Sequence, residues 1–220
     1  MIAAPLESQL RDSLASRGYY RSPASVPFER FLDAMALLGE IKKPTEIRPQ
    51  GPNPVLESGR PLLPHNDCNY YADYIVWYCR EDGGAGDRTF IVDMDPLYAA
   101  LSRDDRERLA RVRVVLPNHE GGGAPILRER EGQPQLFYVP WSLFHRGDPD
   151  VAATLRRFHA AVKEHAASAR IQGGPIALRT GQFLIVDDAR FMHGRDAVPD
   201  SAPRHLFRCY VKRHAASACA

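Results

Sequence analysis

The sequence lacks any long apolar run, and none of its stretches approaches the roughly 18 residues that a membrane-spanning helix needs. Its start, MIAAPLESQLRDSL, turns quickly from apolar to charged residues and does not predict a signal peptide. Charge of one sign is also missing, because 29 Lys and Arg stand against 27 Asp and Glu and leave a net charge of +2. A balance this close gives no basic footprint, so neither a membrane nor a nucleic acid is predicted as the partner.

Cysteine is scarce and unpatterned. The four cysteines form no CxxC and no zinc-type pair, which predicts reduced thiols in a cytoplasmic protein rather than a disulfide framework. Proline and glycine, by contrast, number 18 and 16 without any period, which suits a fold of many short strands and turns. No internal repeat or linker divides the 220 residues, so one domain over 1–220 is predicted.

Periodicity and composition predict the secondary structure. Apolar residues at helical spacing and capping signals predict α-helices over 6–17, 28–39, 97–111 and 148–168. Aromatic and β-branched residues predict strands over 70–79, 88–94, 111–117, 136–140, 175–188 and 204–213. Six prolines predict an extended loop over 43–64, and a Gly-rich composition predicts a mobile segment over 119–134.

Helices followed by strands and further helices predict an α+β fold with a β-sandwich or barrel at its centre. The N-terminal helices are expected within residues 1–42 and the β core within about 60–213.

The segment His65-Asn66-Asp67 carries the first candidate chemistry. On an extended strand, residues i and i+2 point to the same face, so the imidazole of His65 and the carboxylate of Asp67 are expected side by side. A further imidazole would complete a facial set of two histidines and one carboxylate, which holds iron(II) and leaves coordination positions open. The triplet alone is a weak signal, because such spacing is common.

The second candidate region begins at His193. Arg204 follows 11 residues later and Arg208 four further on, within the strand RHLFRCYV. Two arginines on the core-side face of an otherwise apolar strand are costly without anionic partners. Planar guanidinium groups bind carboxylates bidentately, so two anions are predicted here. The alternative is a strand whose solvated face carries Arg204, Arg208 and Lys212.

Three blocks in order, PLLPHNDCNYY, GGAGDRTFIVDMDPLYAALS and GQFLIVDDARFMHGR followed by RHLFR, resemble the iron(II)- and 2-oxoglutarate-dependent oxygenases of the taurine dioxygenase-like (clavaminate synthase-like) branch. The resemblance runs from about residue 60 to residue 212. It implies a double-stranded β-helix, a cupin-like jelly roll with flanking helices. The chain is shorter than many relatives, which leaves the lid over the substrate pocket unassigned.

The resemblance also implies roles for individual residues. His65, Asp67 and His193 match the iron ligands, which are the catalytic centre. Thr89 and Arg204 match the residues that bind the distal carboxylate of the cosubstrate 2-oxoglutarate.

Arg208 matches an arginine that contacts an anionic group of the primary substrate in several relatives. Asn66, Asn69 and Tyr70, with Tyr71, are candidates for polar and aromatic substrate contacts.

The reaction implied is a hydroxylation, or another oxidation, of an unactivated C–H bond in a small polar metabolite resembling an amino acid. Dioxygen is consumed, and 2-oxoglutarate becomes succinate and carbon dioxide. In halogenating relatives a small residue replaces the carboxylate ligand, so Asp67 argues against chlorination.

Three other functions stay open from the sequence. They are a nucleic-acid demethylase of the same superfamily, a non-catalytic ligand-binding jelly roll, and a zinc hydrolase with the same ligands. The last two leave Arg204 unexplained.

Overall fold

The computed structural model describes residues 4–48, 60–67, 71–82, 87–115, 123–130, 132–173, 176–199 and 203–214. Its helices are α1 (Ala4–Arg17), α2 (Phe28–Leu38), α3 (Asp95–Ala99), α4 (Arg103–Leu109) and α5 (Pro149–Gly173). Its strands are β1 (Tyr19–Arg21), β2 (Gly39–Ile47), β3 (Leu62–His65), β4 (Tyr74–Asp82), β5 (Asp87–Asp93), β6 (Arg113–Val114), β7 (Ala124–Pro125), β8 (Leu127–Arg130), β9 (Gln133–Leu136), β10 (Leu143–Phe144), β11 (Ile176–Leu178), β12 (Phe183–Asp187), β13 (Phe191–Arg195) and β14 (Arg204–Arg213). None of the described helices is both long and apolar enough to cross a membrane.

Two antiparallel sheets form the body of the fold. The larger has the strand order β1-β12-β4-β14-β2, and the smaller has the order β11-β5-β13-β3. A three-stranded sheet, β10-β6-β7, and the hairpin β8-β9 complete the described strands. The non-sequential order means that neighbouring strands come from distant parts of the chain, which brings residues of β3, β13 and β14 into one region.

Alternating side chains give each large sheet two covered faces. One face of the large sheet packs on the N-terminal helices, with Phe31 and Met35 against Val76 and Phe207. The other face forms a core that also includes residues of the smaller sheet. Helix α5 covers the outside of the smaller sheet, where Phe158 joins the Phe90 cluster. The predicted α+β class with a β core is confirmed.

Most predicted elements are confirmed, with several corrections. The predicted 97–111 helix is two helices, because Ser102 caps a new one by accepting a hydrogen bond from the Asp105 amide at 3.1 Å. The loop prediction over 43–64 is wrong at both ends, since β2 continues to Ile47 and β3 begins at Leu62. Strand β1 lies within the region expected to hold only helices.

The Gly-rich segment 119–134 is only partly described. Its described end holds strands β8 and β9, which pair as an antiparallel hairpin. The predicted strand over 136–140 is wrong beyond Leu136, where β9 ends. Residues 116–122 and 131 lie outside the described residues, so the predicted mobility of the segment is not tested there.

Gly194 lies where only a residue without a side chain fits. A Cβ there would lie 2.3 Å from Phe90 Cζ and 2.8 Å from the Leu62 carbonyl oxygen. We expect Gly194→Ala to lower the free energy of unfolding by about 2 kcal/mol and the melting temperature by roughly 4–8 °C. Adding Phe90→Leu should recover only part of the loss, because the clash with the carbonyl remains.

Thermal unfolding measures both variants, with Gly132→Ala as the control. An added Cβ on Gly132 meets no atom within 4 Å, so only its φ of +74° opposes alanine. That backbone cost is about 1–2 kcal/mol. A Gly194→Ala protein that melts at the wild-type temperature would contradict the packing described here.

Candidate metal centre

His65 ends strand β3 with its ring buried. Its Nδ1 lies 2.7 Å from the Leu63 carbonyl oxygen. A carbonyl only accepts, so Nδ1 carries the proton and the lone pair is on Nε2. Nε2 is buried, has no hydrogen-bond partner among the described residues and lies 3.6 Å from Asp67 Oδ1. An imidazole held in this way presents a free lone pair, which is the form that binds a metal.

His193 lies directly opposite His65, because the register of β13 against β3 pairs these two residues. Their ring centroids are 4.3 Å apart, and His193 Nε2 lies 3.8 Å from Asp67 Oδ2. One ligand atom from each of His65, Asp67 and His193 lies within 4.8 Å of the others. The structure therefore brings the three predicted ligands together.

The protonation states of the three groups suit metal binding. Burial lowers the pKa of His65, and burial together with the neighbouring His65 lowers the pKa of His193 well below its usual range. Burial raises the pKa of Asp67, but the Arg208 guanidinium and the two imidazoles outweigh it and bring that pKa to about 2. At neutral pH the site therefore offers two neutral imidazoles and one carboxylate, which are the forms that ligate a cation.

Arg208 and Tyr210 both contact Asp67 from strand β14. Arg208 Nη1 donates to Asp67 Oδ2 at 2.7 Å, and the Tyr210 hydroxyl donates to the same oxygen at 3.3 Å. The other carboxylate oxygen, Oδ1, faces His65. The anion that the structure shows beside Arg208 is thus the Asp67 carboxylate.

A small cleft adjoins the three ligand residues. Thr89, Arg204, Arg208 and Arg195 line it together with His65, His193, Ile47, Leu62, Trp77 and Gly194. Thr89 is 5% exposed and Arg204 is 8% exposed. The structure therefore places the two predicted cosubstrate residues at one cleft beside the candidate metal ligands, and adds a third buried guanidinium, Arg195.

Asn66 does not face this cleft. Its side chain is fully buried, and both its amide nitrogen and its amide oxygen bond to backbone groups. The prediction that Asn66 contacts substrate is therefore not supported by its position. Asn69 and Tyr70 lie outside the described residues, and the Tyr71 ring packs edge-on against Tyr210 at 5.5 Å.

Two tryptophans and one carboxylate at the site were missed by sequence reasoning. The Trp141 ring lies 4.9 Å from the His65 ring although its residue is 47% exposed, and the Trp77 ring lies 4.8 Å from the His193 ring. Asp188 Oδ1 lies 3.7 Å from His193 Nδ1. No local pattern points to Trp141, whereas an acidic pair at the end of a predicted strand, Asp187-Asp188, is a signal that could have found Asp188.

A larger cavity of about 730 Å³ lies elsewhere, lined by Arg111, Arg113, Phe144, His145, Arg146, Asp148 and Val151. It contains none of the three candidate ligands, so the site geometry rather than cavity size locates the chemistry.

Comparison with known proteins defines the class. Residues 28–210 match the family described as taurine catabolism dioxygenase TauD, TfdA family. This match covers most of the chain, so the chain belongs to that family and is a dioxygenase. The resemblance predicted from the three sequence blocks is confirmed. No curated protein sequence matches the chain.

Solved structures show the same fold at low identity. An asparagine oxygenase in complex with Fe(II), 2S,3S-3-hydroxyasparagine and succinate is 17% identical with a TM-score of 0.72, over 96% of this chain and 80% of that chain. The non-heme iron oxygenase OrfP, in complex with Fe and alpha-ketoglutaric acid, is 19% identical with the same TM-score, over 96% and 80%. A mutant of OrfP in complex with (3S)-hydroxy-L-Arg is 18% identical to this chain, with a TM-score of 0.72.

Proposed function

We propose that the protein is an iron(II)- and 2-oxoglutarate-dependent dioxygenase that hydroxylates a small, polar, amino-acid-like molecule. The observation that carries this proposal is the convergence of His65, Asp67 and His193 within 4.8 Å, in a chain of this dioxygenase family. On this proposal the two large antiparallel sheets constitute a double-stranded β-helix within one domain, with the metal site between them.

The residues present fit an iron(II) ion. The buried His65 Nε2 has no hydrogen-bond partner within the part of the chain that the structure describes, and two nitrogen donors and one oxygen donor converge there. Two histidines and one carboxylate bind iron(II) on one face and leave the opposite positions open. When bound, iron and 2-oxoglutarate together would activate dioxygen for oxidation of the C–H bond, with succinate and carbon dioxide as products. The protein then contributes placement, since the C–H bond that is oxidised is the one held nearest.

Thr89 and Arg204 would bind the distal carboxylate of 2-oxoglutarate. A hydroxyl and a guanidinium at one buried cleft match the two oxygens of a carboxylate.

Relatives of the same fold support an amino-acid-like substrate, because their structures hold hydroxylated asparagine and hydroxylated arginine. Arg208 stays our candidate for the substrate anion. Its bond to Asp67 shows that its guanidinium reaches the metal side of the cleft.

A substrate screen tests the proposal. Succinate release would be measured with iron(II), 2-oxoglutarate and a panel of amino acids, other small acids, short methylated DNA and lipophilic compounds without an acid group. We expect an amino acid or related acid to give coupled succinate release at least tenfold above the uncoupled rate. Coupling by acid-free lipophilic compounds alone would contradict the role of Arg208, and coupling by methylated DNA alone would establish the demethylase instead.

A further inference from the structure

We propose that Asn66 is a positioning residue that fixes the three metal ligands relative to one another. This inference rests on the proposed function, because it concerns the same metal centre. Asn66 is the middle residue of the triplet and is 0% exposed, and its amide bonds to backbone groups instead of facing the cleft.

The amide of Asn66 joins three separate segments of the chain. Its Nδ2 donates to the Asp188 carbonyl at 2.8 Å and to the Phe191 carbonyl at 3.0 Å. Its Oδ1 accepts from the Tyr138 amide at 3.0 Å, and its own backbone amide donates to the Tyr138 carbonyl at 2.9 Å. The side chain thus fills both donor positions and one acceptor position with buried backbone groups.

Each of these segments carries a part of the metal centre. Asn66 itself lies between the ligands His65 and Asp67. The Asp188 and Phe191 carbonyls belong to the bend and strand that lead to His193. Tyr138 lies three residues before Trp141, whose ring rests on the His65 ring.

Asp188 links the segments of Asp67 and His193 on the side of the cleft. Its carboxylate accepts from the Asp67 amide, at 3.2 Å to Oδ2, and lies 3.7 Å from His193 Nδ1. The Asn66 amide donates to the Asp188 carbonyl, while the Asp188 carboxylate accepts from the Asp67 amide and faces the His193 ring. Removing the Asn66 amide would therefore free the bend at Asp188 to move relative to Asp67 and His193.

A side chain that only stabilises the fold would not change the metal affinity when removed. Gln182 supplies a matched control for that case. Gln182 is also buried, and its amide also bonds to two carbonyls and one backbone amide, those of Ser22, Pro23 and Arg179. It contacts none of the metal ligands among the described residues. Asn66→Ala and Gln182→Ala therefore remove the same kind of hydrogen-bonded group from two places in the fold.

The test measures Co(II) affinity by calorimetry and the Co(II) visible spectrum at 10 °C, on variants shown to be folded by circular dichroism. We expect Asn66→Ala to weaken Co(II) binding by about 10–100-fold and to change the spectrum, as mutations behind metal ligands do. Gln182→Ala should lower the melting temperature while its Co(II) affinity stays within twofold of wild type. Wild-type affinity and spectrum in folded Asn66→Ala would overturn the inference.

A second measurement needs no variant and decides the matter if Asn66→Ala does not fold. Coupling between the metal and the Asn66 amide is reciprocal, so Co(II) binding to the wild-type protein should slow hydrogen exchange of the Tyr138 amide. An exchange rate unchanged by saturating Co(II) would overturn the inference. Absence of Co(II) binding by the wild-type protein would instead contradict the proposed function, which keeps the two failures distinct.

Discussion

Replacing Asp67 by alanine is expected to reduce substrate-dependent succinate formation to the background rate, and so is replacing His193. Asp67 supplies the only carboxylate in the described ligand group, and His193 supplies one of its two imidazoles. Either change removes one of the three protein ligands, which weakens iron(II) binding and alters the coordination proposed for hydroxylation. Both variants should also lose most of their affinity for iron(II) or Co(II).

The Asp67 variant carries a second expected effect. Arg208 loses the carboxylate at 2.7 Å from its Nη1 in a nearly buried position. Breaking such a pair costs about 3–5 kcal/mol of unfolding free energy. The Asp67→Ala protein must therefore be shown to be folded before it is assayed. His193→Ala tests the same site without this complication, because it leaves the Arg208–Asp67 pair intact.

His205→Ala is the matched control for these variants. His205 lies on β14 with its side chain 17% exposed, and its ring bonds to Glu46 rather than to the cleft. We expect its succinate formation to stay within twofold of wild type. Undiminished turnover by both Asp67→Ala and His193→Ala would exclude this metal centre.

Arg204→Gln is expected to raise the 2-oxoglutarate concentration for half-maximal rate by about 30-fold or more. Loss of a buried charged partner costs roughly 2 kcal/mol or more, and each 1.4 kcal/mol is tenfold. Since Arg204 is proposed to bind 2-oxoglutarate at the end remote from the metal, the rate at saturating 2-oxoglutarate should fall far less than the affinity. Initial rates of succinate formation against 2-oxoglutarate concentration separate the two effects.

Arg213→Gln controls for the loss of one positive charge on the same strand. Arg213 has a side chain 54% exposed and lies at the opposite end of β14, so its 2-oxoglutarate dependence should match wild type. An equal change in both variants would indicate a general charge effect and remove Arg204 from the cosubstrate site.

The two arginines show what residue types and spacing can predict. Guanidinium groups on the apolar face of a strand predicted anionic partners. The structure shows one of these partners, the Asp67 carboxylate, beside Arg208. The pairing of β14 with its neighbours could not be read from the chain, so the sequence did not reveal which anion belonged to which arginine. The contact depends on residues 141 positions apart.

The buried position of Asn66 could have been predicted from the sequence. The alternation that places His65 and Asp67 on one face of a strand places Asn66 on the opposite face. That face is buried here, and a buried amide must find hydrogen-bond partners. Its partners at Asp188, Phe191 and Tyr138 come from remote segments, which no local pattern specifies.

Strand β2 shows why proline content misled the loop prediction over 43–64. It lies at the edge of the large sheet, where one side needs no partner. Lys42, Lys43 and Pro44 are typical of edge strands, because charge and proline discourage further pairing. The register shifts near Pro44, between the pairs at Arg208 and Tyr210. Such a strand lacks the apolar alternation by which strands are recognised.

One measurement tests the central claim most directly: the visible spectrum of the protein with iron(II) and 2-oxoglutarate, without dioxygen. Joint binding of the two at His65, Asp67 and His193 predicts a charge-transfer band that appears only when protein, metal and 2-oxoglutarate are all present. The band should be absent from Asp67→Ala and present in His205→Ala. A wild-type solution without this band, at concentrations that saturate both ligands, would contradict the proposed dioxygenase site.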